Sequence, residues 1–220
     1  MIDHAAVLLA LRGRALTLSV CTTGSVSLSA TTTGYARATG SFVADGFAVG
    51  MEVTGAGFST AANNGARVLT AVSALTLTCA GCTTEADAAG KTISVGLPAL
   101  RAWENVDFTP TAGRWFLEED YLPGPAEQIT LGARGAIESL PQYVLKLYGV
   151  AATGPTALYK AADALLTLFA PRTALVLSSG DVVAVRTNPA PYRGQLLPAE
   201  SGWSVIAVTI PCRTRSANTI

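Results

Sequence analysis

A single histidine, His4, and four cysteines in 220 residues leave little of the side-chain stock from which catalytic and metal centres are usually assembled. Charge is scarce as well, at 14% of residues. Fifteen Lys and Arg balance fifteen Asp and Glu, so no net field draws the chain to nucleic acid or to an anionic membrane. A membrane-spanning run is missing: the longest uncharged stretch, Ala15 to Ala36, holds ten Ser and Thr and is broken by Gly24 and Gly34. No secretory leader is expected, because the apolar segment Ala5 to Leu11 is short, follows Asp3 and precedes Arg12 and Arg14, so the reading is a soluble protein kept in the cytoplasm. What is abundant is apolar surface. Half the residues are hydrophobic and mean hydropathy is +0.39, which excludes an open coil; with zero net charge, it suits a subunit that buries surface in an assembly.

Motifs of chemistry are few. Cys79-Ala80-Gly81-Cys82 has the spacing of half a zinc knuckle or of a redox pair, but no second pair exists and His4 is far away, so small buried or turn cysteines are expected. No nucleophile elbow, phosphate loop or metal-spaced histidine pair occurs; no cofactor or metal is expected, and the reading is of a protein that is not an enzyme. The densest polar cluster is Glu118-Glu119-Asp120, after Trp115-Phe116-Leu117 and before Tyr121. Successive side chains of an extended segment point to opposite faces, so three carboxylates converge poorly on Mg²⁺ or Ca²⁺. Aromatics beside acids suit an anchor on a partner better, which makes Trp115, Phe116, Glu118, Glu119, Asp120 and Tyr121 candidate subunit contacts. Arg213 and Arg215, expected as a short basic tail beyond the final strand, are candidates for contact with a neighbouring subunit or with DNA.

The pattern along the chain predicts an α+β fold with a mostly antiparallel sheet, two packed helices and an inserted small all-β domain. Ile2 to Ala15 reads as a helix capped by Asp3, with Ile2, Ala6, Leu9 and Leu8, Leu11, Ala15 at helical spacing. A second helix opens at Pro155, lines Leu158, Ala162, Leu165 and Phe169 on one face, and stops at Pro171. Residues 21–96 are rich in Thr, Ser and Gly, with expected strands Tyr35 to Phe42, Met51 to Gly55, Arg67 to Val72, Leu75 to Cys79 and Thr92 to Val95. Asn63-Asn64-Gly65 supplies a turn, and Val72 to Leu75 a tight hairpin. Residues 97–135 read as an extended arm with a short strand near Trp115. Strands Ile137 to Val150, Ala174 to Leu177, Val182 to Arg186 and Trp203 to Cys212 follow. The division is a discontinuous core, 1–20 and 97–220, interrupted by the insert.

The order Asn105-Val106-Asp107-Phe108-Thr109-Pro110, Trp115-Phe116-Leu117, Leu131-Gly132, an alternating strand, the Pro155 helix and Gly202-Trp203-Ser204 leading into Val205 to Arg213 resembles the tail terminator proteins of long-tailed bacteriophages. The insert, through Ala38 to Phe42, Gly46 to Met51, Val53-Thr54-Gly55, Asn63-Asn64-Gly65 and Leu69 to Leu77, resembles a β module of phage tail tube and other tail proteins. The resemblance implies a structural protein of the virion tail, at its head-proximal end, assembled in the host cytoplasm. Its partners would be copies of itself in a hexameric ring, the tail tube protein, the head-tail connector and DNA passing without sequence-specific binding. Alternatives are a tail tube or head-tail joining protein, a hydrolase using Glu118, Glu119 and Asp120, and a carbohydrate-binding module stacking sugars on Tyr35, Phe42, Phe47 and Phe58.

Overall fold

The computed structural model describes residues 2–24, 26–103, 106–130, 135–198 and 202–217. Helix α1 (His4–Ala15) starts where the Asp3 carboxylate accepts hydrogen bonds from the N–H groups of Ala5 and Ala6, 3.0 Å each. It buries Val7, Leu11 and Ala15, one residue per turn, whereas Leu9, expected on the buried face, is 65% exposed. Apolar residues are spread around the helix between His4 and Leu11, so spacing alone could not choose the packed face.

Residues 21–95 contain β1 (Cys21–Thr22), β2 (Leu28–Thr31), β3 (Gly34–Arg37), the one-turn helix α2 (Phe42–Asp45), β4 (Glu52–Ala56), β5 (Gly65–Val68), β6 (Ala71–Val72), β7 (Thr76–Thr78), β8 (Glu85–Ala88) and β9 (Thr92–Val95). They form two antiparallel sheets, in orders β1-β9-β4-β5 and β6-β7-β3-β2-β8. The expected strand Tyr35 to Phe42 ends at Arg37, because Ser41 Oγ caps the Ala44 N–H at 3.1 Å and opens α2, which Gly46 closes at φ 106°. The expected strand Arg67 to Val72 is divided between both sheets. Leu69 N–H bonds the Met51 carbonyl on one side, and Thr70 N–H bonds the Thr78 carbonyl on the other, so the chain crosses between sheets there. The β6–β7 hairpin, closed by Ser73 N–H to the Thr76 carbonyl at 2.9 Å, is where the sequence puts it.

The remainder forms a ten-stranded sheet with β10 (Arg101–Ala102), β11 (Phe116–Leu122), β12 (Ala126–Gln128), β13 (Ala136–Ser139), β14 (Gln142–Val150), helix α3 (Thr156–Leu168), β15 (Ala174–Val176), β16 (Val182–Val185), β17 (Tyr192–Arg193), β18 (Leu197–Pro198) and β19 (Trp203–Ala217). Many of these strands are pieces of longer ribbons. β13 and β14 face β19 in one unbroken register, Ser139 opposite Thr214 and Gln142 opposite Pro211. Only the missing N–H of Pro141 divides them, and its carbonyl still accepts from Cys212 N–H at 2.8 Å. β11 and β12 flank this ribbon, slipping by one residue at Pro123-Gly124-Pro125. β16, β17 and β18 line the other side of β19, β15 lies outside β16, and β10 pairs in parallel with β11.

Two expectations are corrected by this sheet. Residues 116–122 are a full strand paired along its whole length with β14, not part of an arm, because Pro and Gly are confined to its flanks. Arg213 and Arg215 lie inside β19 and not beyond it, held by pairing with both β13 and β16.

One face of the large sheet presents Leu117, Tyr143, Leu145, Leu147, Ile206, Val208 and Ile210. α3 packs there through Leu158, Ala162, Leu165 and Phe169, all buried as the spacing predicts. Each large apolar side chain among them contributes about 1.5–3 kcal/mol by leaving water. The architecture is thus mostly β, with three α-helices and several antiparallel sheets. Among the described residues no helix is long and apolar enough to cross a membrane.

Candidate functional site

The side chains of β11 alternate between the two faces of the sheet, which separates the three acids. Glu119 points under the helices, where its carboxylate takes the Arg12 Nε–H at 2.5 Å and the Tyr143 hydroxyl at 2.8 Å. Tyr121, two residues on, shares a 2.8 Å hydrogen bond with His4 Nδ1. These contacts pin α1 to the sheet. Burial, reinforced by the Glu119 carboxylate, pushes the Tyr143 hydroxyl above its ordinary range; burial does the same for Tyr121.

Glu118 and Asp120 face the opposite way, onto the side without helices. Lys146 Nζ sits between them, 2.7 Å from Glu118 and 2.8 Å from Asp120, and the Tyr148 hydroxyl donates to Glu118 at 2.7 Å. Burial alone would push the Lys146 ammonium down, but the two carboxylates outweigh it and the net direction is up. Burial and Glu118 push Tyr148 up to about 12. A lysine ammonium therefore occupies the position between carboxylates where a cation would bind. Among the described residues no group of three or more His, Cys, Asp and Glu side chains is gathered for a metal.

Trp115 and Phe116 are buried within the chain. The Trp115 indole N–H donates to the Val49 carbonyl at 3.0 Å, and its backbone N–H donates to the Gly50 carbonyl at 3.1 Å, so it fastens the large sheet to residues 21–95. Phe116 stacks on Tyr148 with centroids 4.1 Å apart, and touches Phe108 and Trp203 at 5.4 and 5.5 Å. Arg213 and Arg215 remain 48% and 54% exposed, and both reach Glu138 Oε2, at 3.8 and 2.6 Å. Arg213, with Arg172 and Arg186, borders a groove of about 520 Å³, lined also by Leu140 and Val185. Arg172, Arg186 and Glu138 escaped the sequence reading, since only the pairing of β13 and β16 against β19 gathers them.

The remaining candidates are structural. All four cysteines are buried free thiols; Cys79 Sγ and Cys82 Sγ lie 3.6 Å apart, and burial pushes Cys21, Cys79 and Cys212 each up to about 12. Tyr35, Phe42, Phe47 and Phe58 are buried in the hydrophobic core, which removes them as a sugar-stacking platform. Asn105, Leu131 and Gly132 of the tail terminator pattern lie outside the described residues.

A family model described as "Phage tail terminator protein" matches residues 86–212. No curated protein matches. A solved structure that carries no functional name is 20% identical, with a TM-score of 0.42, covering 54% of this chain and 79% of its own. The family match begins within β8 and runs through α3 into β19, leaving α1 outside. Covering more than half of the chain, it makes the protein a member of the phage tail terminator family, whose role is structural and whose place is the virion tail.

Proposed function

We propose that the protein caps the tail tube: copies of it close into a ring, commonly of six, that sits on the last tube ring, stops its polymerisation and offers a joint to the head connector. The observation that carries this reading is the family match over 86–212, laid on a sheet whose two margins differ. One margin is formed by the short strands β10 and β12 and the other by β15, β17 and β18, where Val176 of β15 is 73% exposed. Unlike margins favour a heterologous contact, which generates a ring when its rotation closes. Growth stops because the exposed face of that ring no longer matches an incoming tube subunit; no catalytic step is needed. DNA passes through the lumen without sequence-specific contact, consistent with a net charge of zero.

Within this reading Arg213, Arg215, Glu118 and Asp120 meet neighbouring subunits or rings, while Trp115, Phe116, Glu119 and Tyr121 support that face from inside. Residues 21–96 form a separate module, at the ring periphery and docked through Trp115. Head-proximal position and assembly in the host cytoplasm belong to the same proposal.

The test is light scattering of the purified protein, negative-stain imaging of the same fractions, and its addition to purified tail tubes growing from tube subunits. A discrete ring that halts growth supports a terminator. Open-ended tubes built from this chain alone would assign it to the tube, and unaltered tube growth with bound protein would remove the capping role.

A further inference from the structure

We infer that the arginine groove across β13, β19 and β16 receives the Val106-Asp107 turn of a second copy of this chain, so that each subunit offers its turn to one neighbour and its groove to the other. This rests on the ring reading above and names its contact.

The groove has an unbalanced charge. Arg172, Arg186 and Arg213 border it with Glu138 as the single carboxylate, and Glu138 is already shared between Arg213 and Arg215. Among the described residues, Arg172 and Arg186 have no ion-pair partner, whereas Arg193 and Arg12 are satisfied by Asp163 and Glu119. Arg172 also holds a left-handed backbone, φ 71°, with its N–H on the Val185 carbonyl at 3.0 Å. A non-glycine residue persists in that region only where its surroundings fix it, so this guanidinium is carried on a preset backbone. Leu140, 40% exposed, and Val185 add apolar wall beside the arginines. A carboxylate next to a small apolar side chain matches both kinds of lining; a phosphate backbone would leave the apolar wall unused.

The Val106-Asp107 turn offers that combination. Val106 is 58% exposed and Asp107 beside it is exposed, with no ion-pair partner among the described residues. The turn is held from behind: Val106 N–H bonds the Trp103 carbonyl at 3.1 Å, and Phe108 packs on Phe116 at 5.4 Å. It follows β10 at one margin of the sheet, whereas the groove runs across β13, β19 and β16, with Arg172 beside them just before β15. β11 and β14 separate the turn from the groove of its own subunit, so the contact is made head-to-tail between copies.

The experiment is a charge swap in the full chain, read as the self-association constant by sedimentation and light scattering, with thermal melts confirming that each variant folds. Asp107→Arg and Arg186→Asp should each weaken association about tenfold or more. Combined in one chain they should recover part of that loss, because the positive charge placed on the turn then meets the negative charge placed at position 186, while Arg172 and Arg213 still border the groove. A charge-independent readout is the double variant Asp107→Cys with Arg213→Cys: the native thiols are buried, so mild oxidation should cross-link adjacent copies. A combined swap no better than the weaker single variant, or no cross-link between copies, overturns the proposal. So does loss of duplex DNA retention by Arg186→Asp with self-association unchanged, which would assign the groove to phosphates. If the unaltered protein halts tube growth while the swap fails, the groove contact alone falls; if it stays monomeric both alone and on tail tubes, the ring reading falls with it.

Discussion

The two small sheets of residues 21–95 and the ten-stranded sheet that follows are both β structure, but they are held by different means. In the large sheet β14 and β19 are nine and fifteen residues long, and alternation alone lines up apolar side chains beneath α3. In residues 21–95 strands run two to five residues, too short for alternation to build a wide apolar face. There a buried polar knot sets the fold. The side chain of Asn63, wholly buried, takes the Thr83 N–H at 2.8 Å and donates to Glu85 at 3.0 Å, while its backbone carbonyl takes the Tyr35 hydroxyl at 2.7 Å. Glu85 also accepts from Ser59 N–H and Thr60 N–H at 2.9 Å each and pairs with Lys91 at 2.9 Å. Short strands need such directional ties, because each buries little area of its own.

The largest test of that contrast removes the joint between the regions. Trp115→Ala should cost about 3–5 kcal/mol and split denaturant unfolding into two transitions, since it deletes a buried indole and its bond to Val49. A single, merely shifted transition would show the regions to be one cooperative unit. Next, Glu119→Ala leaves Arg12 and Tyr143 without their acceptor; about 2–3 kcal/mol should be lost, with amide exchange rising in α1 and not in residues 21–95.

A pH effect follows for the polar knot. Lys91, then the Thr60 and Ser59 N–H groups, hold the Glu85 carboxyl well below the usual carboxylate range, and so below its unfolded value of about 4.3. Its contribution is complete above that value and is lost as pH falls through the lower folded one. Glu85→Gln should therefore lower the melting temperature at pH 7 and flatten the decline in acid, in a titration of melting temperature against pH. The smallest effect is expected on the open face, where Lys146→Met should change stability by less than about 1 kcal/mol, because a pair a third exposed is screened by water. A larger loss in urea unfolding would mean that this face is held by charge after all.

Legibility in the sequence follows the same division. Asp3 and the apolar stripe from Leu158 to Phe169 announce both long helices, and the alternation in β14 and β19 announces the central ribbons, since each signal is local and repeated. β1, β2 and β8 gave no such signal, because two to four residues rich in Ser, Thr and Ala carry no period. The Glu118-Glu119-Asp120 cluster was visible and its separation onto opposite faces followed from alternation, but the partner of each acid did not. Arg12 lies 107 residues from Glu119, and Lys146 lies 28 from Glu118.

The sequence by itself determined the helices, the long strands, the absence of a recognisable catalytic set and the order of motifs that marks the tail terminator family, because these depend on composition and on neighbours within a few residues. Only the tertiary structure decided which face of α1 is buried, that residues 116–122 are a full strand of the large sheet, and that Arg172, Arg186 and Arg213 share one groove. Those outcomes depend on strand register, and register is settled by contacts between residues tens to more than a hundred positions apart.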